Sequence, residues 1–279
     1  TARLIFPLII FLQTLNFAYL YAYVPKKCFG TQLDRLPAEE PFKDRLTEGR
    51  IVSVGFNIWV PSDHNIAGFN YHTLRTLGFN YASLWDLYHF AGYEPLVPKV
   101  NAEECNYMNF DAVYNNDDGV LPIEHFRKWG VKWYVVSNDK LDKYKSYMEA
   151  KGLVESFYDE YRTVFKDNGA KPFIAPASSG ESSVLSYSIE TNSITFETSS
   201  PHGDVYELNF LYNPFFKAYI DGNKAKLDVN NYDQMSIYVP EGNHKVKVVY
   251  HDPYFTAGCI AALCFSMIAP LCIILTKFK

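Results

Sequence analysis

The stretch 59–94 holds the densest group of side chains that could bind a ligand. Aromatic rings stack on a sugar or a lipid head group, while carboxylates and imidazoles exchange hydrogen bonds with hydroxyls. The stretch has little regular periodicity and contains several Gly and Pro residues, as a binding loop on a rigid scaffold does. We predict substrate binding by Trp59, His64, His72, Trp85, Asp86, Tyr88, His89, Tyr93 and Glu94. The alternative is that these rings fill the core of a domain.

No catalytic or metal-binding motif accompanies these side chains. The sequence contains no HExxH, CxxC, GxSxG, Walker or GxGxxG pattern. A metal site needs three or four ligands to converge, and the His and Asp residues between 64 and 89 follow no common ligand spacing. We therefore predict no metal and no cofactor in this chain, and the catalytic residues stay unassigned.

The composition narrows the class of partner. The formal net charge is −5, from 26 basic and 31 acidic residues, which disfavours nucleic acid because phosphate binding needs clustered Lys and Arg. Aromatic residues make up 17% of the chain. Either they pack cores and interfaces, or some of them form platforms for sugars, since such rings bury area and keep a polar handle.

Both ends of the chain are apolar. The runs 4–25 and 255–276 contain no charged residue, and about 20 apolar residues are enough to cross a bilayer. We predict a transmembrane helix at 1–25 and a second one, with a short tail, at 255–279. A cleaved signal peptide is disfavoured because the first run is longer than a typical apolar signal core and lacks a small-residue cleavage site.

The middle of the chain divides by pattern into three parts. Residues 26–48 are rich in Pro and charge and predict a connector. Residues 49–180 predict a mixed α/β domain, with strands at 50–55, 131–136, 153–158 and 162–166 and helices at 65–77, 122–129 and 139–151. Residues 181–254 predict a β-sandwich, because short alternating strands are separated by turn signals. Within it, Asp221-Gly222 predicts a two-residue hairpin turn with Gly222 at positive φ.

Five stretches between residues 80 and 253 resemble, in order, the carboxy-terminal part of YfhO-type bacterial membrane proteins, and the likeness covers roughly 50–279. They are NYASLWDLYHFAGYEPLVP (80–98), FRKWGVKWYVVS (126–137), VFKDNGAKPFIAP (164–176), NPFFKAYIDGNKAKL (213–227) and VPEGNHKVKVVYHDP (239–253). The chain departs from the family at Phe215-Phe216, where the family usually has Gly-Trp. The family's acidic catalytic residue is expected in an early extracytoplasmic loop that has no counterpart here, so no catalytic residue is carried over.

The resemblance implies a multi-span glycosyltransferase of the GT-C kind that acts on cell-envelope glycans or lipid-linked sugars. This chain would supply an extracytoplasmic portion, residues 26–254, together with the last two spans. Its partners would be the membrane, the other transmembrane helices of the parent protein, and a glycan or lipid-linked sugar donor. One alternative is a non-catalytic, membrane-tethered carbohydrate-binding or scaffolding module at the cell surface. A stand-alone hydrolase with a site in the α/β domain is the other.

Overall fold

The structure is a computed structural model that describes residues 42, 49–56, 65, 66, 69, 70, 77, 82, 87–90, 113–178, 180–260 and 262. The chain separates into two compact units, one of Pro37–Tyr250 and one of Thr1–Leu36 with His251–Lys279. The strands described, all in the Pro37–Tyr250 unit, are β1 (Arg50–Val54), β2 (Asn65–Ile66), β3 (Phe69–Asn70), β4 (Val113–Tyr114), β5 (Val131–Ser137), β6 (Val154–Tyr158), β7 (Arg162–Lys166), β8 (Ile174–Pro176), β9 (Ser183–Glu190), β10 (Ser193–Ser200), β11 (Asp204–Leu211), β12 (Phe216–Ile220), β13 (Asn223–Ala225), β14 (Asp228–Val229), β15 (Gln234–Val239) and β16 (Gly242–Tyr250). The α-helices described in that unit are α1 (Ile123–Lys128) and α2 (Leu141–Ala150), and a 3-10 turn at Asn138–Lys140 leads into α2.

The first sheet has the strand order β4-β1-β5-β7-β6. Strands β4 and β5 run parallel to β1 on its two sides, whereas β7 and β6 continue the sheet in antiparallel pairs. The run VKWYVV is predicted as a buried strand and forms most of β5, whose residues are buried apart from the half-buried Lys132. Helix α2 covers this sheet because Tyr144 and Met148 are four residues apart and therefore share the buried face.

Two further sheets face each other as a β-sandwich. Their strand orders are β13-β12-β16-β10-β9 and β14-β15-β11-β8. Strand β16 shows the expected alternation, with Val246 and Val248 buried and Lys245 and Lys247 exposed. Phe196, Ile237 and neighbouring apolar side chains from both sheets fill the space between them. Burial of one face of each sheet is the main source of stability for this part of the molecule.

The predicted fold class, a mixed α/β domain and a small β-sandwich flanked by two transmembrane helices, is wrong. The described part of the chain is mostly β-sheet, in three larger sheets and the β2–β3 pair, and its helices are few and short. The helix expected at 65–77 fails because residues 65, 66, 69 and 70 belong to the β2–β3 antiparallel pair. Pairing within this short hairpin has overridden a weak helical pattern there.

The membrane helices require a separate correction. Within the portion of the chain that the structure describes, no helix is both long and apolar enough to cross a bilayer. The described helical residues near the carboxyl end are 253–260 and 262. The run 4–25 lies outside the described residues, as do residues 263–276 of the second run.

The helix at 253–260 begins with a side-chain cap, two residues before the predicted start at 255. The Asp252 carboxylate accepts hydrogen bonds from the backbone N–H groups of Tyr254 (2.8 Å) and Phe255 (3.3 Å). Asp252 is thus a side-chain cap, and Pro253 follows at the first helical position, where a missing N–H costs nothing. The apolar side chains of Tyr254, Phe255 and Ile260 are exposed.

Candidate functional site

A cleft of about 950 Å³ opens at one end of the β-sandwich, a volume within the range of small-ligand sites. Leu87 and Tyr88, the β9–β10 hairpin, and the ends of β11, β12 and β16 form its walls. Its described lining residues are Leu87, Tyr88, Tyr187, Ser188, Ile189, Glu190, Thr191, Asn192, Ser193, Ile194, Phe210, Phe216 and Tyr250.

The polar wall of the cleft is the turn between β9 and β10. Glu190 and Ser193 are paired across the two strands, so Thr191 and Asn192 form a two-residue connection. The Ser193 hydroxyl donates to Glu190 Oε2 at 3.0 Å, and the Tyr250 backbone N–H donates to the Asn192 carbonyl at 2.9 Å. These two bonds hold the turn in place against the end of β16.

The aromatic wall consists of half-buried rings held by their neighbours. Phe216 and Tyr250 are directly paired across β12 and β16, and their ring centroids are 5.1 Å apart at an interplanar angle of 65°. Phe210 stacks on Phe173 at 5.7 Å, and Tyr88 meets Phe173 edge-on at 5.2 Å. Edge-on and offset contacts are the favoured geometries for rings, so these side chains are preorganised.

A buried arginine supports the aromatic wall from behind. Arg50, at the start of β1, donates from Nη1 to the Trp129 carbonyl and from Nη2 to the Asn209 carbonyl, both at 2.5 Å. Its guanidinium carbon lies 5.0 Å from the centroid of Phe173 and 4.9 Å from that of Phe210. Burial lowers the pKa of Arg50 to about 10, so the group stays charged at neutral pH. Arg50 thus joins the first sheet to the strands that carry the cleft.

The segment 87–90 brings one predicted binding residue into the cleft and turns its neighbour away. Ile51 of β1 donates its N–H to the Tyr88 carbonyl and accepts from the Phe90 N–H, both at 2.8 Å. Tyr88 therefore lines the cleft. His89 points along β1 instead, with Nε2 3.1 Å from Ser53 Oγ.

The other predicted binding residues are not placed. Trp59, His64, His72, Trp85, Asp86, Tyr93 and Glu94 lie outside the described residues, so their predicted convergence stays a prediction. Sequence reasoning missed Tyr187, Glu190, Phe210, Phe216 and Tyr250 as a group, because they come from four different strands. One local signal existed: Phe215-Phe216 departs from the pattern of the resembling family, and Phe216 lines the cleft.

The turn predicted at Asp221-Gly222 joins β12 to β13 and lies at the other end of β12 from the cleft. Asp221 and Gly222 have φ values of 49° and 82°. Asp221 Oδ1 accepts from the Lys245 N–H at 2.9 Å, and Oδ2 lies 2.6 Å from His244 Nδ1. The hydrogen bond that the His244 ring donates to the Asp221 carboxylate raises the pKa of His244 and lowers the pKa of Asp221. This pair stabilises a turn and does not line the cleft.

The described residues hold no group of three or more His, Cys, Asp or Glu side chains arranged to bind a metal. Comparison of the chain with protein-family models, with curated proteins and with solved structures finds no significant match. The geometry of the cleft therefore carries the functional argument.

Proposed function

We propose that the Pro37–Tyr250 unit is a glycan-binding module whose ligand occupies the cleft at the end of the β-sandwich. The observation that carries this proposal is the combination, in one opening, of half-buried aromatic rings with hydroxyl, amide and carboxylate groups. A sugar has apolar C–H faces and a rim of hydroxyls, so it needs both kinds of surface at once. Rings supply the first, and the polar residues of the β9–β10 turn, Thr191 and Asn192, supply the second.

The wider context of this proposal comes from the resemblance to YfhO-type proteins. Three of the resembling stretches contribute directly to the cleft: 80–98 contains Tyr88, 213–227 contains Phe216, and 239–253 contains Tyr250. We propose that the unit lies outside the cytoplasm and selects a cell-envelope glycan or a lipid-linked sugar for a glycosyltransferase-like protein. In this role the described residues bind and orient the sugar, and the chemistry is carried elsewhere.

Calorimetric titration of the full chain with a panel of neutral oligosaccharides tests the proposal. Tyr187→Ala removes a ring from the edge strand β9, and we expect affinity to fall about tenfold, corresponding to about 1.4 kcal/mol. Tyr187→Phe keeps the ring and should retain most of the affinity. Tyr238→Ala is the matched control, because Tyr238 is 58% exposed on β15 and does not line the cleft.

Thermal melting of each variant separates lost binding from lost folding. If no oligosaccharide in the panel binds, the glycan proposal is wrong. The same conclusion follows if Tyr187→Ala and Tyr238→Ala bind alike while both remain folded.

A further inference from the structure

The outward face of the sheet β13-β12-β16-β10-β9 is basic over three of its strands. Val246 and Val248 of β16 and Ala218 of β12 point into the sandwich and are buried, so the residues that alternate with them point outward. The outward side chains of β12, β13 and β16 include four exposed lysines, which we call the lysine face: Lys217, Lys224, Lys245 and Lys247.

The strand registers gather these lysines around one aromatic ring. Lys224, Tyr219 and Lys247 are directly paired across β13, β12 and β16. Lys245 and Lys247 are two residues apart on one strand, which separates their Cα atoms by about 7 Å. Lys217 precedes Tyr219 by two residues on β12. The half-buried Tyr219 therefore has positive charges around it, and the two outer strands of the lysine face are about 10 Å apart.

The charge of the lysine face is largely uncompensated. None of its four ammonium groups forms an ion pair within the part of the chain that the structure describes. Glu197 lies opposite Lys245 on β10, and the other outward carboxylate of the strands, Glu190, is on the far edge strand β9. Asp221, in the turn, already accepts hydrogen bonds from His244 and from the Lys245 N–H. Because the whole chain carries a net charge of −5, the lysine face is a local reversal of sign.

The shape of the lysine face suits a planar anionic surface. It is the outer side of an open sheet, and none of its four lysines lines the described cleft. Proteins that hold a linear polyanion generally supply a groove that follows the polymer. Lysine side chains on long flexible stems can instead engage several head groups of a bilayer at the same time.

The segment that follows β16 also favours a bilayer over a soluble polymer. The helix at 253–260 comes shortly after Lys247 in the chain, and its Tyr254, Phe255 and Ile260 side chains are exposed. Aromatic residues are enriched at membrane–water interfaces, where their apolar rings and polar atoms both find suitable surroundings. A basic surface and an exposed apolar segment are thus neighbours in sequence.

From these observations we propose that the lysine face docks the Pro37–Tyr250 unit on the surface of an anionic bilayer. The ammonium groups interact with the phosphate groups of anionic lipids, and the Tyr219 ring lies among the head groups. This docking goes beyond the proposed glycan binding and does not depend on it. Phe216 and Tyr250, which line the cleft, are paired with each other on the inward face of the same strands.

Co-sedimentation of the full chain with two kinds of vesicle tests the proposal. One kind is pure phosphatidylcholine, and the other is an equimolar mixture of phosphatidylcholine and phosphatidylglycerol. The readout is the ratio of the two partition coefficients, because any affinity of the apolar runs 4–25 and 255–276 for lipid raises both coefficients alike. We expect a ratio well above one at low salt, and a lower ratio as salt screens the exposed charges.

Paired substitutions assign the ratio to the lysine face. A lysine near an anionic surface contributes about fivefold to binding, so Lys245→Gln combined with Lys247→Gln should lower the ratio about twentyfold. Lys245→Arg with Lys247→Arg keeps both charges and should retain the ratio. Lys140→Gln with Lys151→Gln is the matched control, because these exposed lysines flank α2 and lie outside the sandwich. It should leave the ratio nearly unchanged.

Equal partition of the wild type into the two vesicle types would overturn the proposal. So would a wild-type ratio in the Lys245→Gln, Lys247→Gln protein, with thermal melting confirming that it is folded. If that protein does not fold, Lys217→Gln with Lys224→Gln removes two charges from the neighbouring strands and should lower the ratio similarly.

Polyglutamate distinguishes a bilayer from a soluble polymer. If it binds the full chain through the same lysines as tightly as the anionic vesicles do, the lysine face is a polymer site and the bilayer proposal is wrong. Tyr187→Ala should leave the vesicle ratio unchanged, and Lys245→Gln with Lys247→Gln should leave oligosaccharide binding unchanged. Failure of either proposal is therefore visible without the other.

Discussion

Replacement of Arg50 should lower the free energy of unfolding more than replacement of an exposed charged residue does. Arg50→Met keeps a similar side-chain length but removes both N–H donors, so the Trp129 and Asn209 carbonyls lose their partners. An unsatisfied buried acceptor costs about 1–3 kcal/mol. Loss of the cation over two rings adds about 2 kcal/mol at a desolvated site. Relief of the guanidinium's desolvation cost opposes both, and we expect a net loss of about 3–4 kcal/mol.

Denaturant unfolding of the full chain, followed by Tyr and Trp fluorescence, measures this free energy. Lys171→Met is the matched control. Lys171, like Arg50, contacts the β-sandwich, but it does so through an exposed ion pair with Glu207 at 3.0 Å. Its side chain is 47% exposed, so its loss should cost less than about 1 kcal/mol. Arg50→Lys should fall between the two, since one ammonium cannot reproduce the paired geometry of the guanidinium.

The same variants connect stability to the cleft. Phe210 lines the cleft and stacks against the guanidinium of Arg50, so Arg50→Met should also weaken oligosaccharide binding at temperatures where the variant is folded. Lys171→Met should bind like the wild type. An unfolding free energy for Arg50→Met within 1 kcal/mol of the wild type would refute the role assigned to this residue.

Two further predictions concern the turns. Both ring nitrogens of His244 face oxygen acceptors, so NMR titration should give it a pKa above 6.5, and Asp221→Asn should lower that value; equal values in the two proteins would exclude the pairing. The stabilisation from protonated His244 is complete below the pKa of this residue in the unfolded chain, and it is lost as pH rises through the raised pKa in the folded protein. The stabilisation from ionised Asp221 is complete above its pKa in the unfolded chain, and it is lost as pH falls through the lowered pKa in the folded protein. Gly222→Ala should cost about 1 kcal/mol through backbone strain, since φ is 82° and a Cβ there meets no atom within 4 Å. Gly119→Ala should cost more in the same melting experiment, because its Cβ would collide with the Lys143 carbonyl oxygen.

Local patterns in the sequence were sufficient for many individual elements. The apolar run at 131–136 predicts β5, because a strand buried on both faces is apolar throughout. The alternation at 244–250 predicts β16, because a strand buried on one face alternates apolar and polar residues. Asp221-Gly222 marks its hairpin because few other residue pairs adopt two successive positive φ values at low cost. Each of these elements is determined by interactions among residues that are close in sequence.

Long-range pairing decided the remainder. The cleft needs Tyr88, Phe210 and Tyr250 to meet, although they are far apart in sequence and each could serve as an ordinary core ring. Arginine usually lies at the protein surface, yet Arg50 is only 9% exposed. It is buried because two carbonyl groups and two aromatic rings from distant segments contact its guanidinium. Sequence determines which side chains are available for binding, but their convergence depends on the order in which strands pair and sheets pack.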